Sequence, residues 1–169
     1  FDDLLIELYE RLRGDPADAE SRAQAERLAE SIRSAFSVVL VDEFQDTDPI
    51  QYAVIKRLFL RKRELYPVWF VGDPKQAIYR FRGADLETYL RARRDVEALY
   101  QTAGSGRFRG VYALTTNYRS SPDLVRAFNA FWRTAPNPFL REDLAYLEVK
   151  SSAKNLPLMQ KRLDGTIMD

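Results

Sequence analysis

Four consecutive apolar residues, Val38 to Val41, run without a spacer into Asp42 and Glu43 in the stretch SVVLVDEFQDTDPIQ, and a third carboxylate, Asp46, follows Phe44 and Gln45. A β-branched, wholly apolar run of this kind is the pattern of a strand covered on both faces in a parallel sheet. Open parallel sheets hold their ligands beyond the carboxyl ends of the strands, so acids delivered there face a crevice rather than a core. The chain is therefore expected to be an α/β domain with a mostly parallel sheet flanked by helices.

The rest of the chain alternates in the same sense. Residues 1 to 12 read as a helix, and Gly14-Asp15-Pro16 stops it and starts another, with Asp15 as N-cap and Pro16 at the first helical position. Ala25, Leu28, Ala29, Ile32 and Phe36 recur every three or four residues and give the second helix one buried face. Asp48, Pro49 and Gln51 resemble a capping box opening a third helix, with Ile50, Val54 and Leu58 along one side. VWFVGD, Val68 to Asp73, and VYALTT, Val111 to Thr116, read as further strands, with a helix from about Leu86 to Tyr100 between them. In SSPDLVRAFNAFW, Ser121 suits the N-cap and Pro122 the first turn, while Leu124, Val125, Phe128, Phe131 and Trp132 are expected to face a core. The last ~20 residues carry little periodicity and read as a linker or a frayed end.

Composition narrows the available chemistry. With 169 residues, 46% of them apolar and 12% aromatic, the chain can build a core. No apolar run approaches the ~18 residues of a membrane span, and the acidic opening FDDLLIELYE is unlike a secretory signal, so a soluble, cytoplasmic protein is expected. Neither Cys nor His occurs, which excludes thiolate and imidazole chemistry within these residues and leaves carboxylates, Lys, Arg, hydroxyls and amides. Charge is segregated: residues 1–50 hold 13 acids and 5 bases, and residues 51–169 hold 12 acids and 21 bases. Solvated helix faces would read this way, and so would a basic surface for phosphates.

The acids at the strand end match the geometry of a Walker B site. Mg²⁺ at a nucleotide keeps most of its waters and takes one or two carboxylates plus phosphate oxygens, which suits Asp42. Glu43, one residue further on and pointing elsewhere, could orient or deprotonate an attacking water. A strand that merely ends in polar turn residues gives the same short pattern.

Three longer motifs in series separate these readings. VDEFQDTDPIQ, then VGDPKQAIYRFRGAD about thirty residues later, then LTTNYRSS, resemble in order and spacing motifs II, III and IV of the UvrD/Rep-like superfamily 1 DNA helicases. The details are most similar to the RecB-type branch, the exodeoxyribonuclease V beta subunits: Ala77 stands where Rep-like helicases usually have Ser, and FDDLL matches the segment preceding motif II. The resemblance runs from Phe1 to about Lys154.

The resemblance implies a partial P-loop NTPase (RecA-like) motor domain, using ATP and Mg²⁺ and acting on single-stranded DNA and DNA ends, with RecC- and RecD-like subunits as partners of the parent. It implies Asp42 as the magnesium carboxylate, with Glu43 beside it as catalytic base. Gln76 would sense the γ-phosphate, Arg119 would be an arginine finger on it, and Tyr118 would stack on adenine. Tyr79 and Phe81 would stack on bases and Arg82 would contact a phosphate or a base. Read alone, Gln76 could be a surface amide in a turn, NYRS an ordinary helix start, and IYRFRG an edge strand. Phe81 occupies a position where many relatives carry Trp, a larger stacking surface.

The departures from the family pattern bear on activity. A P-loop requires Gly-x-x-x-x-Gly-Lys-Ser/Thr, and none of the seven glycines has another five residues on. GSGRFRG, Gly104 to Gly110, precedes an expected strand and reads as a basic loop. The Walker A portion is thus expected to be absent, residues 1–120 to be the C-terminal half of the RecA-like domain, and residues 121–169 to lead toward a second motor domain. On that reading the fragment alone lacks the phosphate cradle and self-associates through uncovered surface. The parent is expected to be an ATP-dependent 3′–5′ helicase of double-strand-break repair. Alternatives are a stand-alone UvrD/Rep or AddA-type helicase, or a non-catalytic nucleic-acid-binding module.

Overall fold

Helix α1 (Asp2–Arg13) ends where Gly14 turns left-handed, at φ +66, and returns its N–H to Glu10 O at 3.0 Å. A Cβ on Gly14 would also meet Ser21 O and Ala25 Cβ at 3.1 Å, so glycine allows the next helix to cross close by. That helix, α2 (Ala19–Ser34), starts three residues later than the Asp15-Pro16 pair suggests. Asp15 instead accepts the Ala17 N–H at 2.9 Å and closes a turn, and Asp18 is the N-cap, accepting the Glu20 N–H at 2.9 Å. The computed structural model describes residues 2–61, 64–78, 85–102 and 110–154. These belong to two compact units, Phe1–Val111 and Tyr112–Asp169.

In the first unit, α2 leads to β1 (Val39–Val41) and a 3₁₀ turn (Phe44–Asp46), and α3 (Pro49–Phe59) follows. The Asp48 carboxylate accepts from the N–H groups of Ile50 and Gln51, and Gln51 returns a bond to Asp48 N–H, completing the expected capping box. A short antiparallel hairpin of β2 (Leu60–Arg61) and β3 (Glu64–Leu65) then gives way to β4 (Val68–Phe70) and a second 3₁₀ turn (Pro74–Gln76). Helix α4 (Leu86–Thr102) closes the unit. β1 and β4 are parallel, with Val39 opposite Val68, Leu40 opposite Trp69 and Val41 opposite Phe70, so β1–α3–β4 is a parallel crossover unit.

The core lies on one side of this pair. Leu12, Ala29, Val54, Leu58 and Phe59 are buried together, with Val39 and Val68 packed against them. Phe44, Tyr52 and Ala92 form a second cluster with Val41 and Phe70. Fully burying a side chain such as Leu58 or Phe44 contributes about 1.5–3 kcal/mol. The opposite face is open: Val38, Leu40, Trp69 and Val71 are each more than 40% exposed. The expectation of a strand covered on both faces is thus corrected, because among the described residues the helices pack only against the inward positions. Phe36 also departs from its expected place; α2 ends at Ser34, and the ring is exposed beyond it.

Across the first unit runs a charged seam. Arg33 is 3% exposed and donates to Glu26 at 2.8 Å and Glu30 at 2.5 Å, while Arg57 and Arg61 reach the same Glu26 carboxylate. The Arg33 hydrogen bond, supported by Arg57 and Arg61, lowers the Glu26 pKa to about 2 although partial burial opposes this.

In the second unit β5 is only Thr116–Asn117, parallel to β6 (Lys150–Ser151). The expected strand over Val111–Thr116 is therefore corrected: Val111 to Thr115 lie outside any strand and Leu114 is 88% exposed. Alternation of apolar residues alone does not make a strand; a partner must take up its N–H and C=O groups, and pairing here begins at the Lys150 N–H to Thr115 O bond. Helix α5 (Pro122–Arg133) starts at Ser121 as expected. Of its predicted core positions only Val125 is buried, whereas Leu124, Phe128 and Phe131 are exposed and Trp132 is half-buried against Phe139 and Tyr146. Asn129 ties the helix to the chain that follows, donating to Val149 O at 2.9 Å and accepting from the Tyr146 hydroxyl at 2.7 Å. Among the described residues no helix is long and apolar enough to cross a membrane.

Candidate functional site

Strands β1 and β4 end side by side, and their pairing continues one step past both ends: Val71 N–H donates to Val41 O, and Phe44 N–H to Val71 O, each at 2.9 Å. The chain leaving β1 must therefore turn sharply over the end of β4. Glu43 makes that corner with φ 50 and ψ 41, a left-handed conformation that costs a non-glycine residue about 1 kcal/mol or more. Its N–H is held by the preceding side chain, Asp42 Oδ1, at 2.9 Å. The Asp42 and Glu43 side chains are exposed, while Phe44 and Gln45 turn inward and are each 2% exposed. Phe44 anchors the turn, stacking on Phe70 at 4.3 Å between ring centroids and meeting Tyr52 edge-on.

At the end of β4, Asp73 organises the second turn. Its Oδ1 accepts from Lys75 N–H at 3.0 Å and from Lys75 Nζ at 2.6 Å, and its Oδ2 accepts from Gln76 Nε2 at 3.3 Å. Burial works against the Asp73 charge, but the bonds from Lys75 and Gln76 outweigh it and hold the carboxyl below the ordinary aspartate value. Gln76 is exposed on this turn after β4, the strand that pairs with β1.

Gln45 joins the two turns. Its Nε2 donates to Glu43 Oε2 at 2.7 Å and its Oε1 accepts the Asp73 N–H at 3.1 Å. Gly72 leaves space for this amide, since a Cβ there would lie 2.6 Å from Gln45 Oε1 and 3.0 Å from Phe44 N. Sequence reasoning did not single out Gln45; the available cue was an amide two residues past Glu43 beside an apolar anchor. On the same turn, Asp46 Oδ1 is buried without a hydrogen-bond partner.

Beneath the turns, the Tyr52 hydroxyl donates to Asp95 Oδ2 at 2.6 Å, and Lys56 Nζ reaches the same oxygen at 2.6 Å. Burial, with the adjacent Asp95 carboxylate, pushes the Tyr52 phenol upward. The Tyr89 hydroxyl lies 3.4 Å from Gly72 O, so α3 and α4 both brace the sheet end.

Tyr118 and Arg119 lie in the second unit, both exposed. Asn117 shapes their turn: its Oδ1 accepts the N–H groups of Arg119 and Ser120, each at 2.8 Å. Tyr79, Phe81 and Arg82 fall outside the described residues, as does the basic loop from 104 to 109. Among the described residues no three acidic side chains converge as a metal set. One or two carboxylates suffice for Mg²⁺ bound with a nucleotide, and the exposed Asp42 and Glu43 fit that smaller donor set.

Comparison with known proteins gives the chain a family. Residues 1–97 match the family described as UvrD/REP helicase N-terminal domain. The chain is 39% identical over 158 residues to the RecBCD enzyme subunit RecB of Escherichia coli (strain K12), covering 94% of this chain and 12% of that one. It is 38% identical over 157 residues to its counterpart in Haemophilus influenzae, with 92% and 11% covered. The RecB of Mycobacterium tuberculosis is 42% identical over 135 residues, 80% of this chain and 10% of that protein. The chain thus spans about a tenth of the length of these curated relatives. With the matched residues covering more than half of its length, the chain belongs to the UvrD/REP helicase N-terminal domain family.

Proposed function

We propose that this chain is a segment of the ATP-driven motor of a RecB-type DNA helicase, a partial RecA-like domain whose parent moves 3′ to 5′ on single-stranded DNA and unwinds broken ends for repair. The observation that supports this most is the shared sheet end, where the buried Gln45 amide joins Glu43, after β1, to the Asp73–Gln76 turn after β4. Ligands of open parallel sheets bind at this place.

In this reading Asp42 holds Mg²⁺, which when bound supplies charge neutralisation at the β- and γ-phosphates. Glu43 orients and accepts a proton from the attacking water. Gln76 senses the γ-phosphate; its amide can donate to an oxygen while Asp73 fixes its orientation. Arg119 serves as arginine finger and Tyr118 as the adenine platform, both on the turn that Asn117 shapes. Tyr79 and Phe81 stack on bases of single-stranded DNA and Arg82 takes a phosphate or base, contacts that need no particular sequence. The motifs fall within residues 1–120, with 121–169 leading toward a second motor domain. The relatives' name, RecBCD enzyme subunit, supports RecC- and RecD-like partners for the parent.

The test is ATP hydrolysis by the full-length parent with and without single-stranded DNA, comparing the natural sequence with Glu43→Gln. Loss of a general base lowers kcat by about 10²- to 10⁴-fold, and nucleotide binding should survive. Unchanged turnover would overturn the motor reading and favour a nucleic-acid-binding module.

A further inference from the structure

We infer that Gln45 is a positioning residue that makes the placement of Glu43 depend on the turn carrying Gln76. The inference rests on the motor reading above but assigns a role to a side chain outside the nucleotide-facing set. Gln45 is 2% exposed, so its amide cannot exchange its bonds for water. Both ends of that amide are committed in one orientation: NH₂ faces the Glu43 carboxylate at 2.7 Å, and the carbonyl faces the Asp73 N–H at 3.1 Å. Turning the amide over would set oxygen against carboxylate and NH₂ against N–H, so the partners fix its direction.

The amide therefore completes a chain of bonds from Glu43 through Gln45 to Asp73, and from the Asp73 carboxylate to Gln76 Nε2 at 3.3 Å. Gln76 N–H also donates to Asp73 O at 2.8 Å, so the turn moves as a unit with Asp73. The slack is small. Phe44 N–H is bonded to Val71 O at 2.9 Å, and Gly72 has no room for even a methyl group against Gln45 Oε1. A shift of Asp73 must pull on the Gln45 carbonyl, and the opposite end of the same rigid amide holds Glu43. The Glu43 backbone is held by Asp42 Oδ1 and by the Asp46 N–H, and the bond that directs its exposed carboxylate comes from Gln45. A displaced Gln76 turn would thus withdraw the aim of the base, so that hydrolysis answers to whatever moves that turn.

The test uses the full-length parent and two variants, Gln45→Met, which keeps the buried volume without polar atoms, and Gln45→Asn, whose shorter stem reaches only one partner. ATP kcat and KM are measured with and without saturating oligo-dT, together with the dissociation constant of a non-hydrolysable ATP analogue and the melting temperature. Misplacing a catalytic group by a fraction of an ångström costs about 10- to 100-fold. The expected result is a fall of that size in DNA-stimulated kcat, analogue affinity within about threefold, and a stimulation ratio reduced toward one in whichever variant folds. A natural stimulation ratio in a folded variant would overturn the inference, as would a kcat loss that is equal with and without DNA, the mark of a merely structural residue. Glu43→Gln in the same preparation separates the two layers. If turnover survives it, the motor reading fails; if turnover collapses while Gln45→Met and Gln45→Asn keep natural stimulation, only the role of Gln45 fails.

Discussion

The phenol of Tyr52 and the carboxylate of Asp95 meet at 2.6 Å, with Lys56 Nζ on the same oxygen, and this contact pins α3 to α4 directly under the turn that carries Asp42 and Glu43. Tyr52 is 1% exposed and its ring packs against Phe44 and Phe70. Tyr52→Phe keeps that packing and removes only the donor, so a loss of about 1 kcal/mol is expected. Urea unfolding should show a lower midpoint with an unchanged slope; an unaltered midpoint would mean that Lys56 alone holds Asp95.

Acid should loosen the first unit through Glu26. Its folded pKa, lowered to about 2 first by the Arg33 bond and then by Arg57 and Arg61, lies below its ordinary 4.5. A group with a depressed folded pKa stabilises above its unfolded value, and this contribution is lost as pH falls from 4.5 toward 2. The carboxylate is 44% exposed and partly screened by water, so its share is about 1 kcal/mol or less. Stability measured across this window should fall less steeply in Glu26→Gln than in the natural sequence.

The open sheet face predicts self-association. Leu40 and Trp69 are opposite each other in register and are 66% and 55% exposed. Apolar surface of this kind, beside a strand edge that no described strand pairs, drives pairing between copies. The 169-residue chain should therefore scatter light as a dimer or larger species, and Leu40→Asp with Trp69→Lys should shift it toward monomer. A monodisperse monomer of the natural sequence at high concentration would refute this.

Gly72→Ala should disturb both turns at the sheet end. The new methyl would stand 2.6 Å from Gln45 Oε1 and 3.0 Å from a backbone nitrogen, and backbone cannot swing aside as a long side chain can. Overpacking of this type costs about 1–3 kcal/mol. Thermal unfolding should record the loss, whereas natural stability would show that the turn from Phe44 to Asp46 shifts freely.

The elements that were legible in the sequence are those fixed by short-range rules. The capping box at Asp48, the apolar stripe of α3 and the Ser121 cap each follow from spacing within a few residues, while the parallel pairing of β1 and β4 follows from the alternation of strands and helices. What failed depended on partners distant in the chain. VYALTT has strand composition, yet only Thr116 enters a strand, because strand pairing with Lys150 and Ser151 covers Thr116 and Asn117 alone. Phe128 and Phe131 hold core spacing on α5 but remain exposed, since periodicity identifies an apolar face without supplying what covers it. At the site, the acids announced themselves by following an apolar run, whereas Gln45 gave no such signal: its role lies in a bond to Asp73, 28 residues away.

The left-handed backbone at Glu43 sets a limit on optimisation by stability alone. Glycine adopts φ 50 without strain, and asparagine with less strain than glutamate, so libraries of this chain sorted only for folding should drift toward those residues at position 43, gaining about 1 kcal/mol. Libraries sorted for ATP turnover in the parent should keep glutamate there. On the proposed role of Glu43, position 43 is therefore where thermostabilisation and motor activity would call for different amino acids.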